Sequence, residues 1–475
     1  MAAFSDDIFF GTIGEIGAKL RAKEFSCLEL TRAFCDRLEK LGPRYNALAL
    51  SLGEQAIKKA KAVDGDLKRD RTRGPLQGIP YGVKDLLSAA GQVTTWGAKP
   101  YAGQVFDYDA TVVRKLEKAG AILTGKLSMV ELAGGGGYRF ASASLQGAGL
   151  NPWDRSRWSG GSSSGPGSAV AAGLVPFAIG SETWGSILTP SAYCGVTGLR
   201  PTYGLVSRYG AMAISWTLDK LGPMCRSAED CGCVLQVIAG GDSDDPGSAG
   251  KAFYFVPQYT RKLAELRVGF AAVDFEEWAD PTAREGFKKA LDAFRGLGVQ
   301  LKETKLPDMP YGLLVNTIMS AEAGSIFEPL IRSGKIDELA DQRQIAALKA
   351  ALDMKATDYL KAMRVRRLVQ GEMRKLYAGL DVLVSPSRFG PATRIWEPLD
   401  RSSAEGSTAR ARGLRALGAF GNLCGLPALS LPCGFAGGLP IAISLVGRPF
   451  SENTLLALGV AYQKATDWHR RRPPA

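Results

Sequence analysis

Toward the N-terminus apolar positions recur at helical spacing. Two Ser/Thr-x-x-Glu tetrads, opening at Thr12 and at Ser26, mark the starts of amphipathic helices as capping boxes. From Gly78 onward short apolar runs alternate with helical ones. Asp109 is placed to cap a helix carrying Val112, Val113 and Leu116 that ends near Gly120, ahead of a strand over 121–124. A similar unit returns with a strand over 268–272, a helix opened by Asp280 with Pro281 in its first turn, and a strand over 299–301. Residues 311–378 read as mainly helical. Strands recur over 382–384, 428–431 and 441–446, and a helix over about 453–465 closes the chain. Residues 169–174 read as a buried helix of small side chains, and the Gly/Asp/Ser-rich segment 240–250 as a connector between lobes. Strands alternating with helices over such a length predict the α/β class.

Composition narrows this picture. With 475 residues, 45% of them hydrophobic, the chain can bury an ample core. The N-terminus carries neither a basic n-region nor an apolar h-region, and the longest apolar run, 169–180, is broken by Pro176. The expectation is a soluble, cytoplasmic protein with no membrane partner. Eight cysteines are scattered, which does not suggest a disulfide scaffold. Cys225, Cys231 and Cys233 cluster, but no histidine is near and the spacing is not that of a finger, so no metal and no cofactor are expected. The net charge of +12 reads as a solvated basic surface, because base-reading motifs are missing; no nucleic-acid partner is expected.

The chemistry gathers in two glycine-flanked serine clusters, Gly160-Gly161-Ser162-Ser163-Ser164-Gly165 and Gly180-Ser181-Glu182-Thr183-Trp184-Gly185-Ser186. A nucleophilic serine needs a base within reach, exposure in a tight turn, and donors for the developing oxyanion. The consecutive peptide N–H groups of Thr183, Trp184, Gly185 and Ser186 suit the last role. Glycine-rich turns without chemistry are the plainer reading of either cluster alone. The chain holds a single histidine, His469, so a Ser-His-Asp arrangement must use it or fail. Lys84 is the alternative base, ending an apolar strand-like run from Gly78. It must be neutral to act, so its pKa must fall from about 10.4 toward 7–8, about 4 kcal/mol that burial can supply. The plainer reading makes it a snorkelling lysine paired with Asp85.

These segments resemble the amidase signature family. The resemblance is carried by the serine clusters, by Cys194-Gly-Val-Thr-Gly-Leu-Arg-Pro-Thr202, and by the lysine segment Gly78-Ile-Pro-Tyr-Gly-Val-Lys-Asp85. It continues through Leu218-Asp-Lys-Leu-Gly-Pro223 and Gly425-Leu-Pro-Ala-Leu-Ser-Leu-Pro-Cys-Gly434, and is weakest over about 250–378. It implies a large central twisted mixed β-sheet sandwiched between helices. The division it suggests is an N-terminal helical segment (1–70), a catalytic core (71–245), a more variable lobe (246–400) and a C-terminal part of the core sheet (401–475). It further implies a Ser-cisSer-Lys triad of Ser186, Ser162 and Lys84, an oxyanion hole at 183–186, and support of Lys84 by Ser163. A substrate-side loop would lie at Gly134, Gly135, Gly136, Gly137 and Tyr138, its glycines forming either an open, mobile rim or a plain turn. Glu182, Trp184 and Leu188 replace the family's usual Asp, Gly and Arg, which implies loss of an acid–arginine pairing beside the nucleophile. Trp184 then either walls the acyl pocket or packs in the core.

The reading that follows is a cofactor-independent amidohydrolase, monomer or homodimer, acting on a small amide and also on esters or aryl carbamates. The alternative is the glutamine amidase subunit of a tRNA-dependent amidotransferase. Arg415 argues against it, standing where the resemblance would place an acid for the glutamine amino group. A GxSxG hydrolase would need His469, which its arginine-rich flank marks as a surface residue. Ser248-Ala-Gly-Lys251 matches SxxK only literally, within the glycine-rich connector.

Overall fold

The computed structural model describes residues 4–400 and 412–474. The boundary expected at 401 lies outside the described residues. Both capping boxes form: Thr12 and Ser26 each accept from the backbone N–H three residues on, and Glu15 and Glu29 accept in return, opening the helices Ile13–Arg21 and Cys27–Leu41.

Thirteen strands are described: β1 Leu48–Ser51, β2 Pro80–Lys84, β3 Ile122–Leu127, β4 Leu150–Asn151, β5 Asp154–Trp158, β6 Phe177–Glu182, β7 Thr197–Arg200, β8 Lys220–Cys225, β9 Arg267–Phe270, β10 Gln300–Glu303, β11 Val382–Pro386, β12 Ala428–Ala436 and β13 Leu439–Gly447. Eleven form one mixed sheet in the order β1-β3-β2-β6-β8-β7-β12-β13-β11-β9-β10, while β4 and β5 form a hairpin apart from it. The run β3-β2-β6 is parallel, β6 through β11 pair antiparallel, and β11-β9-β10 is parallel again. Strands β2, β6, β8, β11 and β13 are buried at every position, as apolar strands covered on both faces must be. The helices Ser164–Ala171, Leu188–Cys194, Ala228–Ile238 and Glu452–Ala465 are among those that cover them. No helix among the described residues is long and apolar enough to cross a membrane.

Several boundaries differ from the sequence expectation for local reasons. Asp109 caps no helix: its carboxylate accepts from Ala90 N–H at 2.7 Å, and the helix Thr111–Lys118 opens after Ala110. Asp280 closes a turn on Thr282 instead of opening a helix, and the helix begins only at Arg284, because local side-chain hydrogen bonds compete with helical ones. Ala272, expected in a strand, opens the short helix Ala272–Glu276. The small-residue helix starts earlier than expected, at Ser164, directly behind the first serine cluster. The connector 240–250 is a series of turns tied to the body of the protein. There Asp242 accepts from Thr111 and Ser207, and Asp245 pairs with Arg208 at 2.7 Å.

Candidate active site

Strand β6 ends at Glu182, and the loop between it and the helix Leu188–Cys194 carries Ser186. Glu182 fixes both ends of that loop. One carboxylate oxygen accepts from the N–H groups of Ile187 (3.0 Å) and Leu188 (3.1 Å), the other from Arg200 (2.7 Å) and Asn422 (3.1 Å). Burial alone would raise its pKa, but the charge and hydrogen bond of Arg200, with the Lys220 charge and the Ile187 N–H, hold it near 2. The expected loss of an acid–arginine pairing is therefore corrected: Arg200, reaching across from β7, supplies the cation that position 188 lacks.

With Ile187 and Leu188 engaged by Glu182, the N–H groups of Thr183, Trp184, Gly185 and Ser186 donate to no acceptor among the described residues. Gly185 has φ +87°, a conformation that any side chain would disfavour. The Thr183 hydroxyl donates to Asp219 at 2.5 Å, and Asp219 also accepts from Ile214 and Ser215 N–H, so the loop is pinned from its other side. Trp184 is 40% exposed, which removes the core-packing alternative. Its indole nitrogen lies 4.0 Å from where a Cβ on Gly418 would stand.

Lys84, the last residue of β2, is wholly buried. Its ammonium donates to Ser162 Oγ at 2.7 Å and to Ser181 Oγ at 2.9 Å. Burial lowers its pKa to about 7 against the opposing charges of Asp219 and Glu182. Asp85 is not its partner; that carboxylate pairs with Lys126 at 2.8 Å. The Gly161–Ser162 peptide is cis, and the two serine loops meet where Ser163 N–H donates to Ser186 C=O at 3.3 Å. Ser163 itself does not reach Lys84. Its hydroxyl donates to Ser181 C=O and accepts from Ser181 N–H, so it steadies the residue that does. Ser181 was missed by the sequence reading, although a lone hydroxyl ending the apolar run Phe177-Ala-Ile-Gly is a visible signal. Ser186, itself buried, has an Oγ that hydrogen-bonds to nothing among the described residues and so makes no hydrogen bond with Ser162.

A cavity of about 290 Å³ opens beside these groups, lined by Ser181 and Thr183 and by apolar side chains that include Leu86, Met212, Ile214 and Leu221. The loop at Gly134–Gly137 is not an open rim: Gln344 donates to Glu131 C=O (3.1 Å) and Gly135 C=O (2.9 Å), and Gly134 and Gly135 are buried. Tyr138 does reach the first serine loop, at Gly161. A Cβ built on Gly161 would meet its hydroxyl at 3.0 Å and the Trp158 ring at 2.8 Å, so only glycine fits there.

The other sequence candidates fall away from this centre. His469 is buried rather than exposed, and its pKa is pushed down to about 4 by burial and then by the charges of Arg470 and Arg226. No serine hydrogen-bonds to it; its carbonyl accepts from Arg226. Ser248 accepts from Asp242 N–H, while Lys251 lies over the Phe450 ring at 4.0 Å. All eight cysteines are free, Cys225 and Cys231 buried and Cys233 half-buried.

The profile of the Amidase family matches residues 29–456. The A subunit of the glutamyl-tRNA(Gln) amidotransferase of Moorella thermoacetica is 38% identical over 98% of this chain and 99% of its own length. The native peptide amidase of Stenotrophomonas maltophilia aligns with a TM-score of 0.83 and 30% identity, covering 98% of both chains. A bacterial aryl acylamidase aligns with a TM-score of 0.86 over 99% of this chain and all of its own, at 20% identity, a likeness of fold.

Proposed function

The chain belongs to the amidase family, the amidase signature enzymes, and hydrolyses amide carbon–nitrogen bonds; on that premise we propose that it does so through an acyl-serine intermediate. Ser186 attacks the substrate carbonyl, Ser162 passes its proton to neutral Lys84, and the N–H groups of residues 183–186 receive the oxyanion. The relay then returns the proton to the leaving amine, and water releases the acyl group. The observation that carries this reading is the 2.7 Å contact between a fully buried Lys84 and Ser162, with no carboxylate bonded to the lysine among the described residues. With a pKa of about 7, roughly half of Lys84 is neutral at pH 7, the state a base needs. Esters and aryl carbamates fall within the same chemistry, since a carbamoyl-serine uses the same oxyanion donors. Trp184 walls the acyl side of the site, the supporting fact being its exposure on the donor loop. We place the enzyme in the cytoplasm as a monomer or homodimer needing no cofactor.

The similarity to the amidotransferase protein favours a second reading, glutamine hydrolysis within a tRNA-dependent complex. Against it, Arg415 occupies the place an acid would take, and it faces the rings of Trp278 and Phe389 at 5.6 and 5.9 Å.

One panel separates these: anilides, primary amides including glutamine, esters and aryl carbamates, run beside Ser186→Ala and His469→Ala. We expect Ser186→Ala to abolish turnover and His469→Ala to retain it, with glutamine a poor substrate. Loss of turnover in a folded His469→Ala protein would overturn the triad, and glutamine as the best substrate would favour the amidotransferase reading.

A further inference from the structure

Three cations in the interior face an acid: the buried Arg200 meets Glu182, the buried Lys126 meets Asp85, and the half-buried Arg208 meets Asp245. Two exposed arginines, Arg388 and Arg415, have no such partner among the described residues. Arg388, just past β11, is exposed to solvent and forms no ion pair among the described residues. Its Nε donates to the Tyr193 hydroxyl at 3.3 Å and its guanidinium lies 5.8 Å from that ring. Tyr138 is the residue whose hydroxyl abuts Gly161, the neighbour of Ser162, and Trp158 packs edge-on against both Tyr138 and Tyr193. A chain of aromatic contacts through Tyr193, Trp158 and Tyr138 thus leads from Arg388 to the neighbour of the relay serine.

Arg415 is exposed, without an ion pair among the described residues, and three positions before Gly418, where an added Cβ would stand 4.0 Å from the Trp184 indole nitrogen. Asp274, the carboxylate that feels its charge, is buried and accepts from Leu414 N–H and the Ser385 hydroxyl, so it holds the turn carrying Arg415 rather than pairing with it. Phe389 follows Arg388 in the chain, and its ring lies 5.9 Å from the Arg415 guanidinium. Guanidinium groups held against aromatic faces and left without an internal acid are suited to a carboxylate, which each can grip bidentately.

We infer that Arg388 and Arg415 form an anion subsite, and that the preferred substrates are amides bearing a carboxylate but no ammonium, which sets glutamine apart. This rests on the amidase reading and names its substrate class. The test uses matched pairs differing only in that charge: succinamate against levulinamide, and 4-carbamoylbenzoate against 4-acetylbenzamide, followed by ammonia release at low salt. We expect kcat/KM to favour the carboxylate member by at least about tenfold, the size of one modest charge-assisted contact, mainly through KM. Arg388→Gln and Arg415→Gln should each reduce that preference several-fold, and Arg388→Lys should restore part of it. Equal rates within each pair, or a preference unchanged in both Gln variants, would overturn the subsite while leaving the amidase intact. Calorimetric binding of succinamate to the Ser186→Ala protein reads the subsite without chemistry. Binding that depends on both arginines, in a parent that turns over no amide, would instead retain the subsite and sink the acyl-serine mechanism. Absence of binding there and of any carboxylate preference in the parent would sink the subsite.

Discussion

Lys84 and Lys126 stand on the neighbouring parallel strands β2 and β3, and neither exposes any surface to solvent. The register pairs Val83 with Lys126 and Lys84 with Leu127, and so sends the two side chains into different surroundings. Lys126 meets the Asp85 carboxylate at 2.8 Å, together with Val93 C=O and the Thr94 hydroxyl. Lys84 meets two serine hydroxyls and no carboxylate. Burial lowers both pKa values, but for Lys126 the adjacent Asp85 works against it through both charge and hydrogen bond. One lysine is a structural charge and the other a base in waiting. The lesson is that burial supplies the downward push, and the partner decides whether the proton can leave.

The comparison breaks most visibly at Lys84. Lys84→Met should lower kcat by about a thousandfold, the range of a positioned general base. The same protein should be more stable than the parent at pH 7. The folded pKa of about 7 lies below the ordinary 10.5, so between those values the unfolded chain binds a proton that the native one does not. Parent stability therefore rises with pH across that window, and the advantage of the Met variant should be largest at and below pH 7 and fade toward 10.5. Denaturant melts at pH 6.5, 8 and 9.5 check this; an advantage that grows with pH would contradict it.

Lys126→Ala should do the reverse, costing stability rather than chemistry. It strands Asp85 without its counter-charge, a loss of about 3–5 kcal/mol for a buried pair deprived of one partner. Urea unfolding measures the loss, and a change below about 1 kcal/mol would show that Asp85 does not need its partner. Ser181→Asp turns one environment into the other by giving Lys84 a carboxylate. The rise of kcat/KM with pH should then move from about 7 toward 9, with activity at pH 7 falling by up to about fiftyfold. An unmoved profile would mean that Lys84 does not limit the rate.

The smallest effect is expected at His469. Its folded pKa of about 4 lies below the ordinary 6.5, so it contributes stability that is complete above pH 6.5 and lost as the pH falls toward 4. His469→Asn should leave turnover unaltered and flatten the stability slope between pH 6.5 and 4. Thermal melts across that interval would expose an unchanged slope.

Legibility in the sequence followed the range of the forces involved. The capping boxes at Thr12 and Ser26 were readable because their bonds close within three residues. Asp109 and Asp280 looked equally like caps, but Ala90 N–H and Thr282 compete for their carboxylates, and a linear pattern carries no trace of that competition. The glycines at 134–137 suggested an open rim, yet Gln344, some two hundred positions away, closes hydrogen bonds onto the loop. Glu182 appeared to have lost its cation until β7 brought Arg200 to it.

The sequence by itself determined the helices with local caps, the apolar strands of a helix-covered sheet, and the residue types of the serine loops and of Lys84. Tertiary structure alone decided what each of those groups faces. It placed Ser181 and Ser162 against Lys84, withdrew Asp85 to Lys126, and left Arg388 and Arg415 without an acid among the described residues. The reason is physical: a pKa or a charge left unbalanced is set by desolvation and by atoms a few ångströms away, and at this site those atoms come from strands and loops far apart in the chain.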